Sequence, residues 1–556
     1  MANSSNARTP APFSFAASQY FEGPDGQWSS FVVRIGTPEQ TFRVLPSTVT
    51  SETFVPLSGS CKQGSPANCA FSRGVEMYQG KPIDGLQTKQ SSTWSEIGIY
   101  QIAGREELNY NASGLYGLDT VGLMIANSGG PILANQVIAG VVNTRFWVGR
   151  LGMDVKPSNF SEFENPQRSL IKTLKEENYI PSLSYGYTAG AYYRKPSAYG
   201  SLVFGGYDQS RFEPNAITFP FDANDSRKPS VNIQSIVTRD FANTTTSLLP
   251  DGAAYSLIDF AEPQMWLPVS ACDAFARAFN LTYDNNTDLY LVDAITRSRL
   301  LARNPSITFG LGMTANPSER VNIVLPYSAF DQQATYPIYP NATNYFPIRR
   351  AYNDTQYTIG RTFFQEAYVK IDYDRGNFSV HQALFPTSND KQNLVPIFTP
   401  ESHNATRQAN FHKARLLNKA SIAGISVGSV IAIVLLLLVV VGLIRWRRKR
   451  SKERLEQSEN REELTIEVAD QPRLEPDGAT LFEKDSHPFA EMESYARHEL
   501  QARSGDGKPG DSETRLVELD PSTIIEVHEM GDTQVCSAEQ EDDRGVQPRW
   551  PPPGWI

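Results

Sequence analysis

Few residues in this chain are placed to do chemistry, and most mechanisms can be eliminated in turn. Serine hydrolysis needs a base in reach of the nucleophile. The one G-x-S-x-G match, Gly424-Ile425-Ser426-Val427-Gly428, lies in a long uncharged run with no sheet beneath it. In that setting Gly424 and Gly428 are better suited to close helix packing. His381, His403 and His412 fall at or beyond the end of the β-rich part of the chain. No H-E-x-x-H and no paired C-x-x-C spacing occurs, so neither a metal nor a cofactor is called for. Asp259 closes the apolar run Leu257-Ile258-Asp259, and taken alone it reads as a buried, hydrogen-bonded structural acid.

The elements that must position such a residue are mostly strands. Residues 28–385 alternate short β-rich runs (WSSFVVRI, TFRVL, SLVFGG, VNIVL, AYVKIDY) with Gly, Pro, Asn and Asp turn clusters. Helical periodicity appears at Gln167–Glu177 and at Ser270–Phe279, the latter just after Pro268. About 360 residues exceed a single sandwich, so two lobes are expected, 28–205 and 206–385. Residues 1–27 form an N-terminal segment, and 386–419 read as a polar, Pro-bearing stalk.

From Ala420 to Ile444 the chain carries no charge. As a helix at about 1.5 Å per residue it would reach ~37 Å, against a hydrocarbon core of ~30 Å. A buried core helix seldom needs so long an uncharged run. The cluster Arg445-Trp446-Arg447-Arg448-Lys449-Arg450 follows at once and sets that flank in the cytosol, which places residues 1–419 outside. Eleven Asn-x-Ser/Thr sequons agree: Asn3, Asn111, Asn159, Asn224, Asn243, Asn280, Asn285, Asn341, Asn353, Asn377 and Asn404 all precede the run. Residues 1–21 contain no apolar leader, so a missing export signal is expected; a cytosolic body would leave every sequon unused.

Charge separates the two sides. Residues 445–556 hold 16 Lys and Arg against 26 Asp and Glu, which accounts for the whole net charge of -10. A neutral body with an acidic tail excludes a nucleic-acid binder.

Several of the runs stand in a familiar order. Ile35-Gly36-Thr37-Pro38-Glu39-Gln40-Thr41-Phe42-Arg43-Val44 resembles the opening strand pair of the pepsin-like aspartic peptidases, family A1. Gly200-Ser201-Leu202-Val203-Phe204-Gly205-Gly206-Tyr207-Asp208 is similar to their lobe-joining strand. Thr358-Ile359-Gly360-Arg361-Thr362-Phe363-Phe364-Gln365 is similar to their closing block. The resemblance implies a mainly β, bilobal fold around a long peptide-binding cleft. It also implies a small disulfide between Cys61 and Cys69, which enclose a Pro/Gly loop suited to an oxidising compartment. Cys272 stands where relatives begin a second disulfide, but Leu291-Val292-Asp293-Ala294 offers no partner, so a buried free thiol is expected.

The family's mechanism needs one Asp from each lobe, sharing a proton across a water. Carboxylates about 3 Å apart do not both ionise easily, so one acts as base and the other as acid. Matching the motifs puts Ser47-Thr48-Val49-Thr50-Ser51 at the first Asp-Thr-Gly turn and Asp259-Phe260-Ala261 at the second. Asp259 is therefore the candidate catalytic residue of a degenerate dyad, with Ser47 at the other Asp position. As a nucleophile Ser47 would lack a base. Thr48 belongs to the cleft, and Tyr110 is the candidate flap tyrosine ahead of the strand Leu118-Asp119-Thr120-Val121-Gly122.

The 112 residues from 445 to 556 are expected to be a disordered cytosolic tail, in which Cys536 stays reduced. Leu464–Val468, Val517–Met530 and the ending Pro548-Arg549-Trp550-Pro551-Pro552-Pro553 could dock cytosolic partners, and the basic flank could touch anionic lipid. The expected protein is a single-pass, type I membrane glycoprotein with a pepsin-like ectodomain that does not cleave peptides. Its cleft would hold a peptide or cell-surface polymer, and its tail would signal. The competing expectations are an active membrane-anchored aspartic endopeptidase working through Asp259, and a glycoprotein whose cleft binds nothing.

Overall fold

The strand Trp28–Ile35 is covered on both faces: all eight of its residues are buried, the polar Ser29, Ser30 and Arg34 included. A computed structural model describes residues 10–102, 104–160, 164–224, 227–239, 244–313, 319–386, 391–400 and 441–446. Ten strands position the site. In the N-terminal lobe they are β1 (Gln40–Ser47), β2 (Thr53–Pro56), β3 (Ser95–Gln101), β4 (Ser113–Leu123), β5 (Ile132–Val141) and β6 (Gly149–Gly152). In the C-terminal lobe they are β7 (Ala254–Ile258), β8 (Met265–Pro268), β9 (Ile348–Ala351) and β10 (Thr358–Ile359).

The N-terminal sheet runs Ala17–Glu22, Trp28–Ile35, β1, β6, β2, β5, β4, β3. The C-terminal sheet runs Arg320–Pro326, Ser306–Gly312, Ser230–Arg239, β7, β10, β8, β9. A third, six-stranded sheet takes strands from both halves of the chain, with Ser184–Ala191 and Ala367–Asp372 side by side at its centre. One continuous apolar core joins all three sheets.

The two lobes repeat one pairing pattern. In the first, β1 runs parallel to β6, β6 meets β2 antiparallel at Phe54/Arg150, and β2 runs parallel to β5. In the second, β7 runs parallel to β10, β10 meets β8 antiparallel at Trp266/Thr358, and β8 runs parallel to β9. Each crossing needs a glycine. A Cβ at Gly152 would lie 2.5 Å from the Ser51 carbonyl carbon, and one at Gly360 would lie 2.2 Å from the Gln264 carbonyl oxygen.

The helices at Leu170–Glu176 and Val269–Phe279 fall where the periodicity places them. A further helix, Ala294–Arg303, was not anticipated, although Asp293 caps it by accepting from the Ile295 and Thr296 N–H groups. The strand pairing extends past both expected edges of the body. Phe13–Phe15 joins the central sheet, Ala17–Glu22 joins the N-terminal sheet, and Leu394–Pro396, placed by the sequence in the stalk, pairs with Gly206–Asp208. The reason is physical: Phe13 and Phe15 pack on Phe204, and short edge strands of this kind have little periodicity to betray them.

Among the described residues no helix is long and apolar enough to cross a membrane. The expected span Ala420–Ile444 lies outside them except for its last four residues, which are helical and exposed. The tail beyond residue 446, Cys536, His403, His412, Asn3, Asn243 and Asn404 also lie outside the described residues.

Candidate functional site

The duplicated pattern fixes the correspondence between the two turns without reference to any motif. Phe54/Arg150 in one lobe matches Trp266/Thr358 in the other, so Pro46/Leu151 matches Ile258/Ile359 and Ser47 matches Asp259. The same register runs on through Gly152/Gly360 to Met153/Arg361 and, in the turns, to Thr50/Glu262, whose carbonyls accept from Asp154 N–H at 2.9 Å and from Arg361 N–H at 2.6 Å. Thr50 and Glu262 are therefore twins as well.

The N-terminal turn is built of small, uncharged groups. Ser47 is fully buried, and its hydroxyl has no hydrogen-bond partner. Thr48 reaches across to the other lobe, its Oγ1 donating to Ile258 O at 2.8 Å and lying 3.5 Å from Asp259 Oδ1. The reciprocal reach is missing. Phe260, the twin of Thr48, turns its ring into the core against Tyr187 and Phe364, with centroids 4.4 and 4.8 Å away.

The C-terminal turn is crowded with charge. Asp259 is fully buried; its Oδ1 accepts from Ala261 N–H at 2.9 Å, and its Oδ2 takes Arg105 Nη1 at 3.1 Å. Arg105 comes from the hairpin between β3 and β4, and its side chain is 3% exposed. Its Nη2 also donates to Thr358 Oγ1 at 2.7 Å, and its Nε to Glu107. Burial alone would lower the Arg105 pKa, but Asp259, Glu107 and Glu262 together hold it above its ordinary value.

A second contact lies beside the first. Tyr110 OH donates to Glu262 Oε2 at 2.9 Å, while Glu262 Oε1 lies 3.7 Å from Arg150 Nη2. Arg150 also sits over the Phe146 ring at 4.7 Å. Burial pushes the Glu262 pKa up, and Asp259 adds to this against the pull of Arg150 and Arg105. Burial and the same carboxylate also raise the Tyr110 phenol. Below, Arg361 donates to Phe260 O and Ala261 O at 2.8 and 2.7 Å, lies over the Trp28 ring and reaches Asp25 of the other lobe at 3.7 Å.

The structure thus brings Ser47, Thr48, Asp259 and Tyr110 together. Asp119 instead supports its strand, accepting from Thr93 Oγ1 at 2.6 Å. A cavity of about 530 Å³ opens beside Arg105, lined also by Val49, Gly104, Glu107, Asp154 and Leu257. Cys61 and Cys69 are disulfide-bonded. Cys272 is a buried free thiol whose pKa burial pushes up to about 12. Of the sequons, Asn111, Asn159, Asn224, Asn280, Asn285, Asn341 and Asn353 are exposed and Asn377 is half-buried.

Sequence reasoning missed Arg105, Arg150, Glu262 and the part Arg361 plays. One cue was available: Arg150 is a charge inside the apolar strand sequence Gly149-Arg150-Leu151-Gly152, and a buried charge needs a partner. Nothing local tells that Arg105 meets an acid 154 positions later.

Comparison with known proteins agrees with this architecture. The eukaryotic aspartyl protease family model matches residues 30–384, and the chain belongs to that family. It is 23% identical over 364 residues to secreted aspartic protease 3 of Candida albicans, covering 64% of this chain and 80% of the relative. It is 24% identical over 409 residues to the aspartic proteinase yapsin-3 of Saccharomyces cerevisiae, covering 68% and 71%. Barrierpepsin of the same yeast is 23% identical over 392 residues, covering 66% and 62%.

Proposed function

We propose that this member of the aspartyl protease family is a pseudopeptidase, whose cleft captures a peptide or a cell-surface polymer without cleaving it. The observation that carries this reading is the twin relation of Ser47 and Asp259. A serine hydroxyl neither bears the negative charge nor shares the proton that the second carboxylate of a dyad must supply. The Arg105–Asp259 ion pair adds support, because a carboxylate committed to a buried guanidinium is poorly placed to act as a base toward water. The cavity beside Arg105 leaves room for part of a ligand. On this reading Ala420–Ile444 anchors the protein as a type I membrane glycoprotein, and the tail from residue 445 carries the signal of capture to cytosolic partners.

A second reading has the relatives in its favour, since those compared are named as proteases: an active, membrane-anchored aspartic endopeptidase using Asp259 alone. Peptide-library cleavage by the purified, glycosylated protein from acid to neutral pH separates the two. The pseudopeptidase predicts no cleavage from folded protein. Cleavage that disappears in Asp259→Asn establishes the enzyme instead.

A further inference from the structure

The hairpin joining β3 and β4 does more than pass over the two turns. Between Gly104 and Tyr110 it is fastened to the C-terminal lobe at four places. Arg105 binds Asp259 and Thr358, at 3.1 and 2.7 Å. Gln356 Nε2 donates to Glu107 O at 2.6 Å. Leu108 packs in a small apolar cluster with Trp266 and Ala351. Tyr110 binds Glu262 at 2.9 Å. Its own backbone is a compact loop, with Leu108 and Tyr110 N–H both donating to Arg105 O, at 3.0 and 3.2 Å.

Two of these fastenings use acids of the turn itself, Asp259 and Glu262, and both acids are completely buried. Breaking either contact while the strap stays down leaves a buried charge or hydroxyl without its partner, which is costly. Lifting the whole strap instead lets water reach both partners at once. The strap should therefore open as a unit.

We propose that residues 104–110 form a closed strap over the floor of the cleft, locked by Arg105 on Asp259 and pinned by Tyr110 on Glu262, so that a ligand reaches the floor only when the strap lifts. The retained carboxylate then serves as the keeper of a latch. This rests on the capture reading above for its purpose, but the latch can be tested without a ligand and without hydrolysis.

The test uses the full glycosylated chain and two readouts. Hydrogen–deuterium exchange followed by mass spectrometry reports opening of the strap amides, with Ser184–Ala191 of the central sheet as the internal reference. Alkylation of a Ser47→Cys thiol reports access to the floor, with buried Cys272 as reference. Ser47 suits the exchange because its hydroxyl has no hydrogen-bond partner to lose. The variant is Arg105→Gln with Asp259→Asn, which removes both charges and leaves neither unpaired.

The latch predicts that this double variant speeds strap exchange and alkylation at position 47 by ~10-fold or more, with both references unchanged. The latch is overturned if both rates stay within about twofold of the parent's. It is equally overturned if the thiol in the parent reacts as fast as an unprotected one. Should the double variant loosen the central sheet too, Tyr110→Phe decides: faster exchange confined to the strap supports the latch, and no change overturns it. Peptide cleavage by the parent protein would sink the pseudopeptidase reading while leaving this result to stand or fall by itself.

Discussion

The two turns at the centre of the molecule share a backbone and differ in almost everything else. The N-terminal turn is neutral: a serine with no hydrogen-bond partner and a threonine reaching across to Ile258 O. The C-terminal turn is ionic, with Asp259, Glu262 and Arg361 all buried and each engaged with a group from the other lobe. A symmetrical proton-sharing pair needs like groups on both sides. Here the N-terminal lobe contributes Arg105 and Arg150 to the contact, cations against the acids of its twin. The difference teaches that a duplicated scaffold can keep its register while the two turns at its centre carry unlike groups, joined by ion pairs between lobes.

Four tests can break or sharpen this contrast. The largest effect is expected at Arg361, because Arg361→Ala strips two buried carbonyls of their donor and Asp25 of its cation. A loss of about 4 kcal/mol is expected for it, measured by urea unfolding. A loss below about 1 kcal/mol would mean that Arg361 does not hold the ionic turn together. Next, Phe260→Ala empties a packed aromatic site and should cost about 3 kcal/mol, whereas Thr48→Ala loses one hydrogen bond and should cost about 1 kcal/mol.

Ser47→Asp supplies a second carboxylate but not the setting of a proton-sharing pair. It places a carboxylate where the serine is fully buried, at a cost of about 2 kcal/mol, and Asp259 stays committed to Arg105. Val49 and Ala261 also replace the small Gly expected at each turn. No robust peptide cleavage is expected; vigorous cleavage by this single variant would show that the account of the turns is wrong.

The smallest effect concerns pH. The Glu262 pKa is raised in the fold, chiefly by burial, so the native protein binds this proton more readily than the unfolded chain does. Stability therefore rises as pH falls through the raised value toward the ordinary one near 4.5, and Glu262→Gln has no such term. The parent should gain on Glu262→Gln as pH drops from 7 to 4.5 in paired unfolding curves. A gain in the opposite direction would mean that Arg150 outweighs burial.

How much of this was legible depends on how local each signal is. The main strands, the two anticipated helices and the Ser47/Asp259 correspondence were legible because hydrophobic period and motif order are carried by neighbouring residues. The helix Ala294–Arg303 could have been found from its Asp293 cap. Edge strands such as Phe13–Phe15 and Leu394–Pro396 are three residues long, too short for a period, and exist because a partner strand lies alongside.

By itself the sequence determined the β-rich, two-lobed body, its family, and the serine at the position that matches Asp259. These depend on residue identity and on spacing over a few residues. Only the tertiary structure decided which groups surround Asp259. Arg105 and Arg150 lie more than a hundred residues from Asp259 and Glu262, the acids they meet in the other lobe, and nothing in their immediate neighbours encodes those distances. A buried charge is tolerated only when folding brings it a partner, and that partner is chosen by the packing of two lobes rather than by the order of the chain.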